Sequence, residues 1–144
     1  MNKIDVPTED DWRSEPWCLD AEYAYGIFNG KTYLESLKLF EEHALGRQED
    51  VMFMPNACFP FYFNVFMDYL MSEKSRDDPD AASCFLSLVV FKVPELKKLE
   101  RWLIDKTLGV VAFIGENQEF FDADLDIYGS FKRKADEVTR KLKM

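Results

Sequence analysis

The run Asp122-Ala123-Asp124-Leu125-Asp126 comes nearest to a recognised chemistry. Carboxylates at alternate positions open the calcium loop of an EF-hand, where they converge on one hard cation. The rest of that loop is missing. Its sixth position needs a glycine for the sharp turn and holds Ile127; its twelfth needs a bidentate acid and holds Arg133. The run reads instead as an acidic helix start, where carboxylates sit favourably against the helix dipole.

Histidine chemistry is limited by supply, because His43 is the single histidine. A di-iron bundle needs Glu-x-x-His pairs on two helices, whereas Phe40 and Gly46 stand three residues to either side of His43. It reads as a lone surface or interface histidine near a helix end. Pairing with a distant cysteine is the one histidine-dependent arrangement left open. No GxSxG elbow, GxxxxGK phosphate loop or GxGxxG turn occurs, so the nucleophile, nucleotide and dinucleotide signatures are absent. The pairs Glu41/Glu42, Asp77/Asp78 and Glu116/Glu119 read as solvated charge runs. No catalytic residue, metal ligand or cofactor is expected.

Charge is the stronger signal. Residues 1–50 hold 12 acids and 5 bases, residues 51–100 hold 7 and 5, and residues 101–144 hold 8 and 8. Most of the net −9 is therefore N-terminal. Such a surface repels phosphate backbones and attracts cationic ones, which disfavours nucleic acid and favours a basic protein partner. The three cysteines, Cys18, Cys58 and Cys84, lack CxxC spacing and sit within or beside apolar runs. They read as reduced thiols in a reducing compartment. The N-terminus, Met1-Asn2-Lys3-Ile4-Asp5 followed by Glu9, Asp10 and Asp11, lacks a basic-then-apolar leader profile. A cytoplasmic location is expected.

The elements that must position these groups read as helices. Hydrophobic residues make up 47% and aromatics 15%, enough for a packed core without metal or disulfide. No Gly/Ser/Pro-rich stretch is long enough to be a linker, so residues 1–144 read as one domain. Residues 1–19, with Pro7, Pro16, Trp12 and Trp17, predict an irregular arm pinned by its two indoles. Asp20 to Phe28 predicts a helix, with Asp20 its N-cap and Asn29-Gly30 its stop. Thr32-Tyr33-Leu34-Glu35 is a capping box. The helix it opens carries Tyr33, Leu34, Leu37, Phe40, Ala44 and Leu45 on one stripe and closes at Gly46.

Val51 to Met71 is about one bilayer thickness long, yet Pro55, Asn56, Pro60, Asn64 and Asp68 interrupt it, so it is not a membrane span. From Pro60 to Met71 the apolar residues cover most of the circumference, which predicts a central, surrounded helix. Ser72 to Pro79 predicts an exposed loop, with Asp78 or Asp80 capping the next helix. Residues 80–93 read as helix, although Val89-Val90-Phe91 has strand character. Pro94 opens a helix carrying Leu96, Leu99, Trp102, Leu103 and Leu108 as far as Gly115. Ile127, Phe131, Ala135, Val138 and Leu142 form the stripe of a last, amphipathic helix. The fold class is all-α, an irregular bundle of five to six helices with an irregular N-terminal arm.

The aromatic block from Phe53 to Leu70, in which Phe53-Met54-Pro55-Asn56-Ala57 precedes a helix ending Tyr69-Leu70, reads as core. It resembles a block in small uncharacterised bacterial proteins. The resemblance spans about 18 residues and implies no activity.

A small acidic chain without catalytic motifs is expected to bind protein, most concretely as a bacterial immunity-type inhibitor that shields a basic toxin domain. The partner-binding residues expected from charge location are Asp10, Asp11, Glu15, Glu22, Glu41, Glu42, Glu49 and Asp50. Two alternatives are a helical binder of an apolar small molecule, using the aromatic middle of the chain, and an enzyme of unrecognised type.

Overall fold

A computed structural model describes residues 3–144. The reading of the N-terminus as leaderless rests in part on Met1 and Asn2, which lie outside the described residues. Among the described residues all regular structure is helical, without strands. No helix among them is long and apolar enough to cross a membrane. The chain gathers into two compact units, Met1–Tyr69 and Leu70–Met144.

The first unit begins with one helical turn, α1 (Glu9–Trp12), where an unbroken irregular arm is predicted. Thr8 and Asp11 form a capping box that satisfies the exposed N–H groups of so short a helix. Trp12 is fully buried and pins the segment, while Trp17 is half-buried and donates its indole N–H to the Trp12 carbonyl at 2.8 Å. Helix α2 (Leu19–Phe28) starts one residue earlier than predicted. Its N-cap is Cys18, and Asp20 lies in the first turn instead. Gly30, at φ +80°, supplies the left-handed residue after the helix.

Helix α3 (Tyr33–Phe53) opens at the predicted Thr32/Glu35 capping box, in which the Thr32 backbone N–H donates to the Glu35 carboxylate at 2.9 Å and holds that carboxyl below its ordinary range. It does not end at Gly46. The helix breaks its geometry at His43 (φ −160°, ψ 68°) and runs on to Phe53. The imidazole lies so close over Gly46 that a Cβ there would meet it at 2.5 Å, so Gly46 makes room for the kink rather than ending the helix. On the predicted stripe Phe40 and Ala44 are buried, whereas Leu34 and Leu45 face solvent. Before the kink the buried face runs through Ser36 and Phe40, more than about 100° around the helix from Leu34; after it the buried face runs through Ala44, Gln48 and Val51.

Helix α4 (Phe59–Leu70) bears out the surrounded helix: nine of its twelve residues are buried, and only Pro60, Asn64 and Asp68 are half-exposed. Its rings organise the unit. Tyr62 lies 5.8 Å from Trp12 and 4.6 Å from Phe28, and Phe66 stacks on Phe40 at 5.2 Å. Such pairs add directional energy to the large area each ring buries. Burial pushes the Tyr62 phenol well above its usual range, and holds the Cys58 thiol protonated, up to about 12.

In the second unit a 3₁₀ turn (Glu73–Ser75) occupies the predicted loop, and Asp78 caps α5 (Pro79–Phe91) by accepting from the Ala81 N–H at 3.3 Å. Val89-Val90-Phe91 is helical: burial of one face outweighs the β-propensity of two valines. The predicted helix from Pro94 to Gly115 is two helices, α6 (Val93–Leu96) and α7 (Arg101–Glu116). The chain turns out at Glu100, whose carboxylate accepts the Trp102 indole N–H at 2.8 Å. Leu96 and Leu103 are both buried, so the apolar spacing survives the break and conceals it.

A single turn, α8 (Leu125–Tyr128), is capped by Asp124, the role predicted for the acidic run. Helix α9 (Phe131–Lys143) buries Phe131, Ala135, Val138 and Leu142. Ile127 leaves the predicted stripe and is 74% exposed, because Gly129 at φ +74° turns the chain between α8 and α9. Among the described residues six helices have ten or more residues; the three single α-helical turns lie below what side-chain periodicity can register.

Candidate functional site

The first unit holds the charge. Residues 1–69 carry 13 acids and 5 bases, net −8; residues 70–144 carry 14 and 13, net −1. Thirteen carboxylates and five cations leave a surplus that no set of internal ion pairs can cancel.

The eight acids expected to meet a partner fall into three groups. Asp10, Glu22, Glu41, Glu42 and Glu49 are exposed, on α1, α2 and α3. Asp11 and Glu15 have structural duties. Asp11 accepts from the Thr8 N–H at 2.9 Å, and Glu15 accepts from the Asn56 N–H at 2.8 Å, tying the arm to the start of the aromatic block. Asp50 is buried at 5% exposure, paired with Arg47 at 2.8 Å. Desolvation raises its carboxyl to about 6, against the pull of Arg47. Position in the sequence placed Asp50 with the surface acids, whereas the geometry of α3 after its kink turns it inward.

Two of the five cations of this unit are engaged away from the exposed acids. The Arg13 guanidinium bonds Glu9 at 2.6 Å and lies over the Trp17 ring at 4.7 Å. Glu9 also accepts from the Tyr25 hydroxyl at 2.7 Å; this bond first, and Arg13 second, lower its pKa. Together these contacts fasten α1 to α2. Arg47 is committed to Asp50.

Helix α2 adds residues that charge location alone does not single out. Ala21, Ala24 and Phe28 face the core at 4% exposure or less, yet Leu19 is 84% and Tyr23 61% exposed. Ile27 is half-buried, and Gly26 is open, with no atom within 4 Å of where a Cβ would stand. The signal was present in the sequence: Leu19, Tyr23 and Ile27 repeat every four residues on one side while Ala21, Ala24 and Phe28 repeat on the other.

The second unit offers a broad open depression of about 790 Å³ lined by Arg76, Gln118, Phe120 and Lys132, among others. Its cations are engaged: Arg76 with Glu73 at 2.9 Å and over the Phe120 ring at 4.6 Å, Lys132 with Glu116 at 3.0 Å and Asp136 at 3.3 Å. Among the described residues no group of three or more His, Cys, Asp or Glu is placed to hold a metal ion. His43 is exposed at the α3 kink.

No protein-family model matches the chain, and no curated protein and no solved structure matches it.

Proposed function

We propose that the chain is a protein-binding module whose acidic first unit engages a basic protein, most concretely as a small inhibitor that shields a cationic domain. The observation that supports this reading is the charge division, net −8 on one compact unit against −1 on the other, with Asp10, Glu22, Glu41, Glu42 and Glu49 facing solvent. A concentrated field of one sign steers and orients an oppositely charged partner, and does so less as salt rises.

The test is to immobilise the full chain and identify what it retains from bacterial lysate at about 50 mM and about 200 mM salt. The comparison is a variant with those five exposed acids reversed to lysine. The reading predicts basic proteins that are retained at low salt, depleted at higher salt and absent from the variant. Retention unchanged by charge reversal would contradict it.

A further inference from the structure

At about 100° per residue, Leu19, Tyr23, Gly26 and Ile27 fall within roughly one quarter to one third of the α2 circumference. Ala21, Ala24 and Phe28 fall on the opposite side, where they are buried. Glu22 borders the outward stripe on one flank and Asp20 on the other, both exposed. A single exposed leucine needs no explanation. An apolar stripe along two turns of a helix that already buries its other face is different, because neither helix formation nor core packing requires it.

We infer that this outward face of α2 is the docking stripe for an amphipathic helix of the partner, one whose apolar side chains are edged by Lys and Arg. The inference rests on the protein-binding reading above and names the chemistry of the partner. The stripe runs about 12 Å from Leu19 to Ile27, at 1.5 Å per residue, the length of about two turns on the partner. Gly26 lies at the edge of the stripe near its C-terminal end, where the missing side chain lets a second helix backbone come close beside Tyr23 and Ile27. Asp20 and Glu22 fix the sign of the flanks. A second copy of this chain would set those carboxylates, and a net −8 unit, against their like. A basic helix sets cations against them instead.

The probe is a synthetic peptide of about 14 residues, containing only leucine and lysine with the leucines at helical period along one face. A scrambled peptide of the same composition is the control. Each is titrated into the uniformly labelled full chain and followed by amide chemical shifts and by fluorescence anisotropy. Shifts are expected first at residues 19–30, with the scrambled peptide binding about tenfold more weakly. Two variants are expected to lose about tenfold in affinity: Leu19→Ser with Tyr23→Ser, and Gly26→Gln, which fills the approach. Gly26→Gln also replaces glycine inside a helix at an open position, so its melting temperature is expected to rise while binding falls.

Equal, salt-sensitive binding of both peptides to wild type and variants would remove α2 as the docking site and leave acidic recruitment standing. Failure of wild type to bind either peptide at low salt would count against both readings. A concentration-dependent dimer in sedimentation that Gly26→Gln abolishes would overturn the inference in favour of a second copy.

Discussion

The two units solve the same problem, holding short helices together, with different materials. The first uses rings: Trp12, Phe28, Phe40, Tyr62 and Phe66 are all fully buried. The second buries rings as well, Phe85, Phe121 and Phe131, and adds polar clamps. Gln118 donates to the Ala123 and Gly129 carbonyls at 3.0 and 2.8 Å and accepts from the Phe131 N–H at 2.8 Å, holding the whole α7–α9 connection with one side chain. Tyr128 donates to Asp80 at 2.6 Å, which fastens α8 to α5 and lifts the phenol to about 12. In the second unit the charges are nearly balanced and engage one another across helix surfaces. In the first, Arg13 and Arg47 engage Glu9 and Asp50, while Asp10, Glu22, Glu41, Glu42 and Glu49 face solvent and their field projects outward.

The sharpest way to break this comparison is to remove one anchor from each unit. Trp12→Ala empties a fully buried site and is expected to destabilise by about 3–5 kcal/mol. Gln118→Ala removes bonds from a half-exposed loop clamp and is expected to cost about 1–3 kcal/mol. Urea titrations of both variants read the difference. Equal losses would mean that the first unit is not held mainly by its rings.

Asp50 provides a pH test within the first unit. Its folded-state pKa, about 6, lies above the ordinary 3.8, so burial favours the protonated form. The group is therefore a burden above pH 6, on the order of 2–3 kcal/mol, and the burden is relieved as pH falls from about 6 towards 4. The stability of wild type minus that of Asp50→Asn is expected to rise over that window. A difference independent of pH would place Asp50 in solvent.

Two glycines sharpen the contrast at smaller scale. A Cβ on Gly115, in α7, would lie 2.8 Å from the Ala135 Cβ of α9, and neither short side chain can rotate away. Gly115→Ala is expected to destabilise by about 1–3 kcal/mol, with Ala135→Gly restoring part of the loss. Gly26→Ala, with open space above it, is expected to gain about 0.5–1 kcal/mol. Thermal melts of the two variants should move in opposite directions.

Features with strong local signatures were legible in the sequence. The Thr32/Glu35 box, the all-round apolar character of α4 and the stripe of α9 from Phe131 to Leu142 each depend on residues within a few positions of one another. What was not legible depends on tertiary context. Nothing local says that Gly46 accommodates the His43 ring instead of ending a helix, or that the chain turns out at Glu100 while the leucine spacing continues. Nor does charge location distinguish Asp50, buried against Arg47, from Glu49 beside it, which faces solvent. The outward stripe of α2 was readable but masked, because a helix with two apolar faces looks like a buried one until its surroundings are known.

The central claim, that recognition belongs to the first unit, is tested most directly by reversing equal numbers of exposed acids in each unit. One variant carries lysine at Asp10, Glu22, Glu41, Glu42 and Glu49; the other carries lysine at Asp105, Glu119, Asp126, Asp136 and Glu137. Affinity for the leucine–lysine peptide is then measured at about 50 mM salt. The account predicts a loss of about tenfold or more for the first variant and a clearly smaller loss for the second. Equal losses would show attraction by net charge alone and would contradict a dedicated acidic face.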